Sequence, residues 1–192
     1  MSHLHRLRWR QQRWRGLPRL AAAWLAALAL GSPVSQAQPA LSDAQAKAAV
    51  LLNFARYIDW PERAYAAKDG GFVFCLAGRD SLGGAASALE GRTLHNRPTQ
   101  VRRVLGIEEL RGCHVLYIAE AEERRQQPML RALAGEPVLT VGDAAGFTEA
   151  GGAIGVTLED GRIRFDINRA ALDSAQLRAS ANLLRLARSV RP

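Results

Sequence analysis

Apolar and polar positions recur with two periods along this chain, and each change of period marks an element. Over residues 44–61, Val50, Leu51, Phe54, Tyr57 and Ile58 share one stripe at helical spacing, which predicts an amphipathic helix that needs a covering layer. Ser42, with Gln45 three residues on, makes a capping-box pattern at its start. Pro61 cannot continue a helix and pushes Trp60 out of the α region, so the helix ends near Asp59. Asn53, Arg56 and Trp60 fit either a polar margin or a recognition surface. Residues 72–77 (FVFCLA) and 114–119 (HVLYIA) are unbroken apolar runs of strand length, the pattern of strands covered on both faces. Residues 137–141 predict a third such strand, and the alternation over 98–105 reads as an edge-like strand.

Helical segments fall between these runs. Asp80 caps a short one at 85–89, and a turn follows at 107–110. Residues 120–134 are acidic first and basic later, as suits the helix dipole, with Pro128 splitting the helix or delaying its start until after Gln127. Toward the end, Asp160-Gly161 joins strands 152–158 and 162–167 in a hairpin. Asn168 caps a helix over 169–175, and Leu183, Leu186, Ala187 and Val190 predict a longer docking helix over 177–190. The alternation of strands and helices predicts a single α/β domain: a mixed, mostly parallel sheet with helices on its faces, a C-terminal hairpin and a docking helix.

Charge changes the picture at the N-terminus. Six arginines and no acid occupy residues 1–37, all six ahead of an apolar run at 20–30, and Ser35-Gln36-Ala37 places small residues where a signal peptidase reads. The pattern predicts a cleaved secretory signal over 1–37 and a mature domain over 38–192. The apolar run is shorter than the roughly 20 residues of a membrane span, and an uncleaved anchor is the alternative. Without the leader the formal +8 falls to 20 basic against 18 acidic residues, and three of four tryptophans and two of four histidines leave too. Neither a nucleic-acid patch nor a histidine-rich metal site survives that subtraction.

Cys75 and Cys113 then sit in an exported chain, where a disulfide persists. Closing that loop stabilises by roughly 4 kcal/mol in the chain-entropy model; two free, buried small residues are the competing reading. Cys113 and His114 are neighbours in a strand and point to opposite faces, so His114 is not placed as a base for Cys113. No catalytic set and no cofactor site emerges. The glycine-rich loop 78–84 lacks the Gly-Lys-Ser/Thr ending of a phosphate loop and suits a tight turn or a small anion. The loop 143–155 is the first candidate for a partner contact, through Phe147, Gly151, Gly152 and Ile154. The competing reading has Phe147 plugging the core beneath it.

KAAVLLNFARYIDWP (47–61), FVFCLAG, GCHVLYIAE, PVLTVGDAAGFTEAGGAIG (137–155), RIRFDIN and LLRLA, in this order and spacing, resemble the YfiR/HmsC family of periplasmic regulatory proteins. The resemblance covers nearly all of the mature domain. It implies a non-enzymatic repressor that binds the periplasmic sensor domain of a membrane-bound diguanylate cyclase and lowers cyclic di-GMP and biofilm formation. It further implies an OmpA-like outer-membrane lipoprotein that relieves the block, a homodimer, and pairing of Cys75 with Cys113. Some members carry a second cysteine pair in the loop matching 143–155; this chain has none there. A periplasmic small-molecule binding module is the alternative, with its solute at the strand ends.

Overall fold

The computed structural model describes residues 41–65, 70–78 and 82–192. The expected leader and the capping residue Asp80 lie outside the described residues. Helix α1 (Asp43–Tyr57) starts at the capping box: Ser42 Oγ accepts from the Gln45 amide at 3.3 Å, and Gln45 Oε1 accepts from the Ser42 amide at 2.9 Å. Its buried stripe is Ala48, Leu51, Phe54 and Ala55, whereas Tyr57 is 40% exposed. The stripe is thus rotated from the expected one, because the two alanines let the helix backbone approach the sheet. Ile58–Asp59 leave the helix early as strand β1, which pairs antiparallel with a strand near the C-terminus.

The main sheet has eight strands. In chain order they are β2 (Phe72–Ala77), β3 (Thr93–Leu94), β4 (Arg97–Val104), β5 (Val115–Ile118), β6 (Leu139–Gly142), β7 (Ile154–Glu159), β8 (Arg162–Asn168) and, after the two-residue β9 (Arg178–Ala179) that partners β1, β10 (Ser189–Arg191). Across the sheet they run β10-β8-β7-β6-β5-β2-β4-β3, and only the β7·β8 and β3·β4 pairs are antiparallel. Both antiparallel pairs are tight hairpins with two residues at positive φ: Asp160 and Gly161 in one, as the sequence predicts, His95 and Asn96 in the other. The second hairpin has no glycine to advertise it. Residues Leu41–Pro192 fold as one compact unit.

Alternation along the strands sends side chains to two separate cores. Phe72, Phe74, Val115, Tyr117, Leu139 and Val141 point to a face covered by α1, the turn Gly83–Leu89, α3 (Arg169–Ser174) and α4 (Ala181–Leu186). Cys75, Ala77, Leu116 and Ile118 point to the other, which α2 (Glu123–Ala132) covers through Met129, with Leu110 and Phe147 beside it. Helix α2 runs through Pro128, where a split or a late start was expected. Pro128 costs one bond, to the carbonyl of Arg124. Arg124 is exposed, which leaves that carbonyl a route to water.

The docking helix expected over 177–190 is shorter. Gln176 turns the chain at φ +57, Arg178–Ala179 form β9, and Ser180 Oγ caps a new helix by accepting from the Leu183 amide at 3.2 Å. That helix, α4, docks through Leu183; Leu186 is 72% exposed and Val190 belongs to β10. Three local signals, a left-handed turn, a cap and an edge pairing, override the helical spacing.

Candidate functional site

The disulfide organises the open face of the sheet. Cys75 lies within β2 and Cys113 two residues before β5; their Cα atoms are 5.7 Å apart and both residues are fully buried. The pair expected from the sequence is therefore joined, and among the described residues no free cysteine remains. Arg102 stands opposite Cys75 in the β2·β4 register, on the same face. Its Nη2 donates to the carbonyls of Arg111 at 2.6 Å and Glu109 at 3.0 Å, and lies 3.5 and 3.6 Å from the two sulfurs. One guanidinium thus holds the loop between β4 and β5 over the disulfide. In the sequence, Arg102 and Arg103 form a pair with nothing local to mark one of them as a clamp.

Beside this clamp the sheet face is uncovered. A groove of about 790 Å³ opens there, floored by Val73, Cys113, Leu133 and Val138 and rimmed by Arg63, Arg111, Glu108 and Glu136. Ile107 lines it at 43% exposure, and Leu105, two residues earlier, is 47% exposed. Arg63 is fixed by donating to Gln176 Oε1 at 2.9 Å and to the Gly135 carbonyl at 3.0 Å. The ion pairs among the described residues use none of these rim charges. The groove is a mixed surface, in which exposed Ile107, with Leu105 nearby, stands among charged side chains; a non-obligate protein interface is likewise no more apolar than the rest of a protein surface.

The groove lies at the amino ends of β2, β5 and β6, not at the carboxyl ends where open α/β sheets commonly place ligands. At the carboxyl end of β6, Asp143 is already occupied. Its Oδ2 accepts from Lys47 Nζ at 2.5 Å and from the Tyr117 hydroxyl at 2.7 Å, and its Oδ1 accepts from the Glu120 amide at 2.6 Å. Burial, reinforced by the charge and hydrogen bond of Asp143, pushes the Tyr117 phenol up, so it stays a neutral donor. The node ties α1 to β5 and β6.

Histidines take structural places. His114 turns away from Cys113, accepts at Nδ1 from the Val73 amide at 3.0 Å, and stacks on Phe72 with centroids 4.5 Å apart. His95 Nε2 meets the Ala55 carbonyl at 2.8 Å, and Trp60, 9% exposed, packs edge-on against Phe72 at 5.1 Å. Trp60 therefore leaves the set of surface candidates, while Asn53 and Arg56 are exposed. Among the described residues no group of three or more His, Cys, Asp or Glu is placed to hold a metal ion.

The loop expected to offer apolar contacts turns them inward. Phe147 is 1% exposed and Ile154 fully buried; Gly152 is buried and Gly151 alone of the four is exposed, at φ +99. Gly142 and Gly152 flank the Phe147 ring so closely that a Cβ on either would overlap it. Phe147 is thus the plug, not the contact. Of the double glycine in the candidate contact loop, Gly152 admits the phenyl ring, whereas Gly151 has open space about it and takes a left-handed φ.

A sheet packed on one side, half-open on the other and pinned by a disulfide defines a binding scaffold. The sequence profile described as YfiR/HmsC-like matches residues 44–188, and the chain belongs to that family, one of non-catalytic periplasmic regulators of diguanylate cyclase signalling. Among solved structures, it is similar to a conserved domain protein from Vibrio cholerae O1 biovar eltor str. N16961, with a TM-score of 0.50 at 10% identity. That match covers 79% of this chain and 61% of the other, so this chain spans under two thirds of that protein, and the likeness speaks to the fold alone. No helix among the described residues is long and apolar enough to cross a membrane.

Proposed function

We propose that this protein is a periplasmic repressor: it binds the periplasmic sensor domain of a membrane-bound diguanylate cyclase, holds the enzyme inactive and lowers cyclic di-GMP and biofilm formation. The family match over 44–188 carries this reading. The leader pattern over 1–37 and the Cys75–Cys113 disulfide support export to an oxidising compartment, with 38–192 as the mature domain. Repression works as a population shift: the bound repressor favours the inactive arrangement of the cyclase by its differential affinity for the two states. The groove beside the disulfide, with exposed Leu105 and Ile107, is the surface we assign to the cyclase. An OmpA-like outer-membrane lipoprotein sequesters the repressor to lift the block, and the repressor is a homodimer. Deleting the gene and measuring cellular cyclic di-GMP tests the reading. A rise is expected; an unchanged level with the cyclase present and expressed overturns it.

A second reading, a small-molecule binding module, draws on the volume of the groove. A thermal-shift screen of the purified protein separates the two, since a tight solute raises the melting temperature with no protein partner present.

A further inference from the structure

Strand β10 closes one edge of the sheet by pairing in parallel with β8, with Ser189, Val190 and Arg191 opposite Asp166, Ile167 and Asn168. Little apolar contact holds it there, since Val190 is 40% exposed and Leu186, just before the strand, 72%. Charge holds it instead. Arg188 lays its guanidinium along Asp166, with Nε donating to Oδ1 at 3.1 Å and Nη2 to Oδ2, while Nη1 pairs with Glu159. Ser189 Oγ donates to Asp166 Oδ1 at 2.6 Å, and Arg191 pairs with Glu149. The backbone adds a bond from the Arg188 amide to the Phe165 carbonyl at 2.8 Å. Surface pairs of this kind hold weakly and are screened by salt. The backbone row they cover on β8 is a template for any strand with matching side chains.

We propose that β10 is a displaceable strap, and that the β8 edge beneath it is a strand-addition site for an extended segment of a partner protein. The chemistry of that segment follows from the present occupant. Asp166 and Glu159 require an arginine where Arg188 stands, and a small hydroxyl residue must follow to reach Asp166. The next position lies on the side of the buried Ile167 and is 40% exposed, so it takes an apolar residue of about the size of valine, and a second basic residue then answers Glu149. Strand addition uses main-chain bonds for affinity and alternate side chains for specificity, which is the division seen here. The inference goes beyond the regulatory role above and concerns a surface separate from the groove.

The test uses the full exported chain and a labelled peptide of sequence LARSVRP, with a scrambled peptide as control. In Arg188→Ala, amide exchange over 165–168 and 189–191 is expected to quicken about tenfold relative to wild type, as for a locally opened unit. The peptide is expected to bind Arg188→Ala about tenfold more tightly than wild type and to weaken as salt is raised. Adding Asp166→Asn is expected to abolish that binding. Equal binding to wild type and Arg188→Ala, unchanged exchange over 165–168, or binding indifferent to Asp166→Asn overturns the proposal. Near-UV circular dichroism of the aromatic core reports folding. If Arg188→Ala loses that signal, Arg188→Lys, which keeps the charge and loses the fork, takes its place, and exchange equal to wild type then overturns the proposal.

Discussion

The two faces of the sheet are built by different means. On one, α1, α3 and α4 cover Phe72, Phe74, Tyr117 and Phe165, and burial of large apolar side chains closes the layer. On the other, α2 covers only part of the face, a disulfide, an arginine clamp and a single ring between glycines secure the rest, and a groove stays open. The difference teaches where a binding scaffold keeps its surface. A face sealed by packing resists change, because interiors are as dense as organic crystals. A face secured by a covalent bond and a few directed hydrogen bonds stays ordered without being fully covered, and that leaves a mixed polar and apolar groove open.

The comparison is most sharply tested at Phe147. As a core plug, Phe147→Ala should cost about 3 to 5 kcal/mol in urea unfolding; a side chain that served only as a partner contact would leave stability nearly unchanged. Next is the disulfide: replacing Cys75 and Cys113 together by serine should cost about 2 to 4 kcal/mol. Amide exchange should rise around the loop between β4 and β5 and far less in α1. Loss spread evenly over both faces would erase the distinction drawn between them.

Smaller effects belong to the polar ties. Asp143→Asn leaves Lys47 without its counter-charge and should cost about 1 to 3 kcal/mol in thermal or urea unfolding. Asp166 gives the smallest effect, and it depends on pH. Hydrogen bonds from Arg188, then Ser189, hold its carboxyl below the ordinary carboxylate range, against a partial burial that raises it. A group depressed in the folded state contributes stability above its unfolded value, about pH 3.9 for an aspartate, and loses it as pH falls through the folded value. Urea midpoints measured from neutral pH downward should therefore fall more steeply below about pH 4 in the wild type than in Asp166→Asn.

Sequence-level reading was strong where a signal is local. The capping box at Ser42, the apolar runs of β2, β5 and β6, the Asp160-Gly161 hairpin and the Asn168 cap each depend on a few neighbouring residues and the backbone they dictate. It was weaker where two local signals compete. The spacing of Leu183, Leu186 and Val190 suggested one helix, yet the Ser180 cap and the pairing of Ser189–Arg191 with β8 divide that stretch. Pro128 shows the converse, since a helix breaker was absorbed where the lost bond faces outward.

By itself the sequence determined the mixed α/β class, the membership of the chain in its family and the identity of the two cysteines, because periodicity, turn chemistry and motif order are written along the chain. Tertiary structure alone decided the groove and the strap. Arg63, Arg102, Ile107, Leu133 and Val138 meet only because parallel strands bring distant segments to one end of a sheet. It also decided the fate of Phe147: in the sequence a phenylalanine between glycines reads equally as exposed or buried, and only the space between Gly142 and Gly152 makes it a plug.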